Sequence, residues 1–224
     1  MAGAVVIGAG PGIGRSVGLR FAREGLPVAL VARDGAKAQA VADEVTAGGG
    51  SALGLAADSS DDPALRAALD TAARRFGPAD VLVYNAAVIR ADRVGELSVR
   101  EHQRAWAVNV VGAITAAAHA LPGMAARGHG TFIVTGGLPE PLPASVSLSL
   151  GKAGVRALTF LLDEQYGPSG VRITTVTVAG AVVPGTATDP DRIAEQYWLL
   201  HDQPPPRWKP EVLFPRDGLD KIVM

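Results

Sequence analysis

Short apolar runs alternate along the chain with longer stretches in which apolar residues recur at helical spacing. Continuous apolar runs bounded by Gly, Asp or Pro are typical of strands buried on both faces of a parallel sheet. The runs are Ala4–Gly8, Val28–Ala32, Ala52–Ala56, Val81–Tyr84, Thr131–Thr135 and Val171–Val178. The helical patterns between them are Gly12–Glu24, Ala36–Ala47, Pro63–Phe76, Arg100–Ala126 and Leu148–Tyr166. This alternation predicts an α/β fold with a doubly wound parallel sheet of the Rossmann type.

The pattern has no break that would divide the chain, so residues 1–224 are predicted to form a single domain. The stretch from Pro184 onward has the least regular spacing, and residues 184–224 are interpreted as an irregular C-terminal tail. Within that tail, Glu211–Phe214 is a candidate for a short last strand.

Composition narrows the possible functions. The net charge is −1 and no block of Lys or Arg stands out, which argues against nucleic-acid and anionic-membrane binding. There is no cysteine, and the four histidines are scattered, so we expect no disulfide and no metal site. The N-terminus is apolar without a basic residue, and no uninterrupted apolar stretch reaches the length of a membrane span. A cytoplasmic location is therefore expected.

A glycine-rich turn follows the first predicted strand and opens the first predicted helix. Such a turn lets the backbone approach a pyrophosphate, and the helix N-terminus supplies free N–H groups and a positive dipole end. Glycines also serve as plain turn residues, so the position after a buried strand is what favours a dinucleotide site. The candidate cofactor-binding residues here are Gly8, Gly10, Gly12, Ile13, Gly14 and Arg15.

The end of the second strand bears on the choice between NAD and NADP. An acidic residue there would bind the adenosine ribose hydroxyls and repel a 2′-phosphate. The chain has neutral Ala32 at that position, and Arg33 follows with a fork of donors suited to a phosphate. We therefore predict NADP(H). Arg33 as a solvated loop residue is the alternative, and Asp34 keeps NAD possible.

Further positions along the chain resemble the classical short-chain dehydrogenase/reductase family, as far as about Gly185. The resemblance implies that Asp58 contacts the adenine, that Asn109 belongs to the catalytic set and that Lys152 holds the nicotinamide ribose. It also implies a backbone contact from Val182 to the carboxamide. The motif residues are Gly8, Gly12, Ile13 and Gly14, then Asp58, Asn85-Ala86-Ala87, Asn109, Lys152, Ala179-Gly180 and Val182.

Each polar residue of this set has a structural alternative. Asp58 would serve equally as a cap for the helix that starts near Asp61. Asn85 would serve as a turn residue, and Asn109 as a polar residue satisfied within its helix. The ordered occurrence of the whole set favours the functional interpretation.

The chain departs from the family at the proton donor. The family uses a tyrosine four residues before its lysine and a serine after the fifth strand, whereas this chain has Leu148 at the tyrosine position. The serine position is glycine or, with a shifted alignment, Thr135. Replacement donors are Lys152 itself and the adjacent hydroxyls, or groups on the tail if it folds over the site as a substrate lid. Those hydroxyl and tail candidates are Ser147, Ser149, Tyr197 and His201.

Three functions remain open, with Lys152 and Asn109 as the catalytic candidates. The first is an NADP(H)-linked oxidoreductase that acts on a small, moderately hydrophobic molecule by an atypical mechanism. The second is non-redox chemistry such as elimination, isomerisation or cyclisation, and the third is a catalytically silent NADP(H)-binding protein. In the family, helices corresponding to Arg100–Ala126 and Leu148–Tyr166 pair across two-fold axes, so a homodimer or homotetramer is expected.

Overall fold

The computed structural model describes residues 3–204 and 208–215, and its centre is a parallel β-sheet of seven strands. Their spatial order is β3-β2-β1-β4-β5-β6-β7. Strands β1 to β3 are thus added towards one edge of the sheet and β4 to β7 towards the other, with the switch between β1 and β4. The strands are β1 (Ala4–Ile7), β2 (Val28–Ala32), β3 (Ala52–Ala56), β4 (Val81–Tyr84), β5 (Gly130–Thr135), β6 (Val171–Val178) and β7 (Glu211–Phe214). The predicted doubly wound α/β fold is confirmed.

Helices cover both faces of the sheet. One core layer is formed with α1 (Ile13–Arg23), α2 (Gly35–Ala47) and α7 (Pro190–Asp202). The other is formed with α3 (Asp62–Phe76), α5 (Gly112–Arg127) and α6 (Val146–Tyr166). The short α4 (Val99–Trp106) precedes α5. Because both faces are covered, the strands are apolar throughout, as the sequence pattern indicated.

The C-terminal tail is more regular than predicted. Residues 190–202 form the thirteen-residue helix α7, which begins at Pro190 with the Asp189 carboxylate accepting the Asp191 N–H at 2.7 Å. Buried side chains of α7 pack in the same core layer as those of α1 and α2, and the helix contacts α1. The interpretation of 184–224 as irregular was therefore wrong for this stretch. The short strand Glu211–Phe214 is confirmed, whereas residues 205–207 and 216–224 of the predicted tail lie outside the described residues.

The predicted helix Arg100–Ala126 is interrupted by a π-helical turn, Ala107–Val111, between α4 and α5. The combined segment Val99–Arg127 is long and apolar enough to cross a membrane, contrary to the expectation from the sequence. Half of its most apolar window is buried inside the protein, because α5 packs on the sheet as a core helix. Its apolar character is accounted for by that packing.

Candidate cofactor and active site

The crevice at the carboxyl ends of β1 and β4 is where the strand order reverses, the usual ligand position in open α/β sheets. Gly8 follows β1 with φ of +91°, and a Cβ there would lie 2.5 Å from the Ala86 nitrogen. A Cβ at Gly14 would lie 2.3 Å from the Gly8 oxygen. Both positions therefore require glycine, one for the turn and one for the close approach of α1.

The same turn has the features of an anion cradle. A Cβ at Gly10 or Gly12 would meet nothing within 4 Å, so both glycines border open space. The N-cap residue Gly12 supplies no side-chain hydrogen bond, and the first turn of α1 holds no acidic residue. The N–H groups at Ile13 and Gly14 therefore remain for a ligand, because those of Arg15 and Ser16 are used by Gly10 and Gly12 oxygens. The turn fits a pyrophosphate.

Arg15 is not placed as the sequence suggested. Its Nε donates to Glu44 Oε2 at 2.8 Å, and its Nη2 lies 2.6 Å from the same oxygen. This pair ties α1 to α2, and Arg15 does not line the cleft beside the glycine turn. The structure thus gives Arg15 a partner on the protein rather than a free guanidinium.

Beside the glycine turn lies a cleft of about 520 Å³ whose lining includes Arg33, Lys37 and Asp58. The Asp34 carboxylate is turned towards α2, where it accepts the Ala36 N–H at 3.1 Å as the helix cap. It therefore serves as a cap rather than as a free acid for the ribose. Lys37, in the first turn of α2, is a second cation of the cleft that the sequence analysis missed, and its Nζ lies 3.7 Å from Asp34 Oδ2.

Asp58 lines the cleft without capping α3, since Asp61 performs that role. The Asp58 carboxylate accepts the Ser60 N–H at 2.9 Å and the Ser60 hydroxyl at 2.7 Å. Those hydrogen bonds, together with the nearby Arg33 charge, hold the pKa of Asp58 below its usual range. The group is thus an ordered carboxylate at the cleft wall.

Two asparagines fix the backbone on the β4 side of the crevice. Asn85 donates from Nδ2 to the Gly8 oxygen at 2.8 Å and so joins the β4 loop to the glycine turn. Asn109 lies in the π-helical turn, and its Oδ1 accepts the Val88 N–H at 2.6 Å. Asn109 therefore stabilises the position of the loop that contains Ala86 and Val88, and both of these residues line the cleft.

Lys152 lies on α6 at the carboxyl end of β5. Its Nζ donates to the Thr135 carbonyl at 2.7 Å, and burial lowers the pKa of this amine to about 8. A Cβ at Gly137 would lie 3.6 Å from Lys152 Cε, an ordinary van der Waals distance, so Gly137 lies directly against the lysine side chain. At neutral pH the group is an ammonium with an acidity well above that of an ordinary lysine.

The polar groups near Lys152 are occupied by structural contacts. The Ser147 hydroxyl donates to Asp92 Oδ1 at 2.7 Å, and Ser149 Oγ accepts the Leu142 N–H at 3.0 Å. The Thr135 hydroxyl donates to Asn85 Oδ1 at 2.8 Å. Leu148, on the first turn of α6, is buried and has no polar side-chain atom.

The tail residues do not fold over this site. Tyr197 is fully buried on α7 and donates its hydroxyl to Thr135 Oγ1 at 2.8 Å, while burial raises its pKa. His201 lies at the opposite end of β5, where its Nδ1 is 2.9 Å from Thr131 Oγ1. The hypothesis of a lid formed by these two side chains was wrong, because α7 packs as a layer of the fold.

An eleven-residue connector, 179–189, joins β6 to α7 and carries Gly180 and Val182. Gly180 has φ of +139°, and Val182 is exposed. The connector is held by its own polar groups, with the Thr188 hydroxyl donating to the Ala181 oxygen at 2.6 Å. It follows β6 at the same carboxyl edge as the glycine turn. Within residues 3–204 and 208–215, no group of three or more potential metal ligands occurs.

A family model described as short chain dehydrogenase matches residues 2–192 of the sequence. The chain belongs to the short-chain dehydrogenase family. Glucose 1-dehydrogenase 2 of Bacillus subtilis is 31% identical over 188 residues, 82% of this chain and 70% of that protein. An inactive 2-(S)-hydroxypropyl-CoM dehydrogenase 2 of Xanthobacter autotrophicus is 34% identical over 171 residues, 75% of this chain and 70% of that protein.

A solved structure bears on the cofactor of this short-chain dehydrogenase. A metagenomic short-chain oxidoreductase in complex with NADP is 31% identical, with a TM-score of 0.87 over 95% of this chain and 96% of that one. The glycine cradle, the uncapped α1 terminus and the cations of the cleft agree with the same ligand.

Sequence reasoning did not identify the buried acid at the start of α6 in this short-chain dehydrogenase. Asp92, in the β4–α4 loop, is 2% exposed and accepts the Ser147 N–H at 2.9 Å in addition to its hydroxyl. Burial alone would raise the pKa of Asp92, but the hydrogen bonds from Ser147 lower it below its usual range. No local signal pointed to this contact, because Asp92 and Ser147 are 55 residues apart.

Proposed function

We propose that this protein is an NADP(H)-dependent oxidoreductase of a small organic molecule in which Lys152, rather than a tyrosine, supplies the proton. The observation that carries the proposal is the Lys152 ammonium, held against Gly137 at the carboxyl end of β5 by its hydrogen bond to the Thr135 carbonyl. Its lowered pKa, about 8, places proton donation in the range useful at neutral pH.

NADPH supplies a hydride to the substrate carbon when it is bound. The glycine turn holds the pyrophosphate, Asp58 orients the adenine side, and the connector at Gly180 and Val182 borders the nicotinamide side. The Lys152 ammonium then transfers one proton from Nζ to the substrate oxygen, and the neutral amine regains a proton from water. Leu148, buried one helical turn before Lys152 on α6, has no polar atom with which to solvate the amine.

Arg33 and Lys37 would hold the 2′-phosphate, which accounts for a preference for NADPH over NADH. Asp34 Oδ1 is used at the N-terminus of α2, whereas its Oδ2 lies 3.7 Å from Lys37 Nζ, so Arg33 would make the larger contribution. Exposed charge pairs are individually weak, so two cations on one phosphate are more effective than one.

Calorimetric titration with NADPH and NADH tests the cofactor part of the proposal. The parent protein should bind NADPH at least tenfold more tightly, and Arg33→Ala should remove most of the difference. Lys37→Ala should remove a smaller share, because Lys37 is 69% exposed and flexible. Arg66→Ala, which breaks an ion pair on α3, is the matched control and should change neither affinity. Equal affinities for the two cofactors in the parent protein would refute the assignment.

A catalytically silent NADP(H)-binding protein is the second candidate. It is favoured by the occupied hydroxyls of Ser147 and Ser149 and by the burial of Tyr197. A panel of ketones, aldehydes and enones with NADPH distinguishes the two functions. Turnover that Lys152→Met abolishes supports the oxidoreductase, whereas tight NADPH binding without turnover of any member supports the silent protein.

We also propose that the chain forms a homodimer or homotetramer through α4, α5 and α6. Large apolar side chains are exposed along these helices, and clusters of this kind mark association surfaces. They are Trp106, Val111, Ile114, Leu150, Phe160 and Leu161. The cytoplasmic location expected from the sequence stays a prediction.

A further inference from the structure

The loop after β5 contains an unfavourable backbone conformation next to the proposed proton donor. Leu138 has φ of +50°, and among the described residues it is the one non-glycine residue in the left-handed region. This conformation crowds the Cβ of an L-residue and persists only where surrounding contacts hold it. Leu138 directly follows Gly137, whose Cα faces the Lys152 side chain. The contacts that hold Leu138 therefore also fix the position of Gly137 against Lys152.

One guanidinium connects that loop to the far edge of the sheet. Arg156 lies one helical turn after Lys152 on α6, and its Nη2 donates to the Leu138 carbonyl at 3.2 Å. Its Nε donates to Glu211 Oε1 on β7 at 2.9 Å. The Arg156 and Glu211 side chains are 27% and 33% exposed, so solvent screens this pair less than a surface pair.

The Glu211 carboxylate is itself fixed by β6. The Thr177 hydroxyl donates to Glu211 Oε1 at 2.6 Å. The Thr177 Cα lies 3.0 Å from where a Cβ of Gly136 would be, so β6 also packs tightly against the start of the loop. The contacts form a continuous connection from β7 through Arg156 to Leu138.

We propose that Arg156, anchored by Glu211, is a positioning residue that holds the Leu138 loop against Lys152 and so forms one wall of the substrate site. The wall carries Leu138, which precedes Pro139, and Leu142, which lies between Pro141 and Pro143; it follows β5 at the same carboxyl edge of the sheet as the cofactor crevice. The assignment of this wall to substrate rests on the proposed function. The connection itself rests on the hydrogen bonds alone.

Acetylation of Lys152, followed by mass spectrometry, tests the connection without a known substrate. The chain has only four lysines, and Lys37 on α2 serves as the internal reference. Arg156→Met should let Leu138 relax and raise the Lys152 labelling rate at least fivefold relative to Lys37. Burial is what lowers the pKa of Lys152, so exposure alone would raise that pKa and slow labelling; acceleration therefore reports on access to the amine past the loop. Arg66→Met is the control and should leave the ratio unchanged.

Two further variants guard against misfolding of Arg156→Met. Glu211→Gln keeps the size of the anchor but loses its charge, and it should raise labelling about two- to threefold. Arg156→Lys keeps the cation and should restore part of the protection. For any ketone or enone that is turned over, Arg156→Met should raise KM about tenfold, change kcat less than threefold and leave NADPH affinity within twofold.

An unchanged Lys152 labelling ratio in folded Arg156→Met and Glu211→Gln proteins would overturn the proposal. Accelerated labelling with an unchanged KM would overturn the substrate-wall assignment. Failure of the parent protein to bind NADPH would instead remove the proposed function, which the labelling ratio does not measure.

Discussion

The chemistry of this site depends on a small number of side chains whose environment changes their usual behaviour. Burial lowers the pKa of Lys152 and raises that of Tyr197, which is a fully buried residue of α7. Tyr197 therefore influences the site through Thr135, to which it donates a hydrogen bond, rather than by contact with a ligand. Lys152 combines a lowered pKa with a position at the carboxyl end of β5, the edge of the sheet that also carries the glycine turn.

The Lys152 assignment predicts a definite pH profile for carbonyl reduction. The ammonium is the required form and its pKa is about 8, so kcat/KM should be level below pH 8 and fall about tenfold per unit above it. Oxidation of the corresponding alcohol requires the neutral amine and should rise through the same pH range. Lys152→Arg is the control. Its guanidinium keeps the proton at these pH values, so the change in rate near pH 8 should be absent. A reduction profile that stays level to pH 10 contradicts the assignment.

At the scale of helices and strands, much of the architecture was predictable from the sequence. The strand positions followed from apolar runs, and the glycine turn followed from its place between β1 and α1. Helix α7 was missed although its signal was present: Asp189 and Pro190 mark a helix start, and Ile193, Tyr197 and Leu200 share one face. Its residues Tyr197 and His201 were instead interpreted as parts of a lid. The Asp92–Ser147 and Arg156–Leu138 contacts had no local signal, because they join segments distant in sequence.

The start of α6 provides a test at this scale. No side chain at its own N-cap, Ser145, bonds to the helix, and Asp92 from another loop accepts the Ser147 N–H and hydroxyl instead. Asp92→Ala would leave both donors buried without this acceptor, at a cost of about 2 kcal/mol. The melting temperature should fall by roughly 4–8 °C. Asp61→Ala removes an exposed cap of α3 and should cost about half as much.

The stability difference between the parent protein and Asp92→Ala should change in a definite direction as the pH falls. The pKa of Asp92 is lowered in the folded protein, so its stabilising contribution is present above the unfolded value, about 3.9, and is lost as pH falls through the folded value. The difference in free energy of unfolding between the parent and Asp92→Ala should therefore shrink below about pH 4. A difference that grows on acidification contradicts this account of Asp92.

At the scale of the whole molecule, the two faces of the sheet differ in what covers them. The α1, α2 and α7 layer is tied by ion pairs, among them Arg20 with Glu195 at 2.5 Å. The α4–α6 side instead presents large apolar side chains to solvent, with Leu161 at 63% exposure. Burial of such a surface in a symmetric interface would remove it from water.

The assembly prediction is tested with a charge on that surface. Light scattering at micromolar concentration should give the mass of a dimer or tetramer for the parent protein. Phe160→Glu should shift the mass towards the monomer, because a carboxylate would be buried in the interface. Leu199→Glu is the matched control, since Leu199 is similarly exposed but lies on α7. A monomeric parent protein would rule out the proposed interface.

The π-helical turn Ala107–Val111 has an evolutionary consequence. It holds one residue more than an α-helical turn, so the helical phase of α5 is offset from that of α4. Deleting one residue would restore a regular helix but rotate one side against the other by about 100°. Asn109 would then lose its hydrogen bond from the Val88 N–H, or α5 would lose its packing against the sheet. Descendants of this chain can therefore accept substitutions in the turn far more readily than a change in its length.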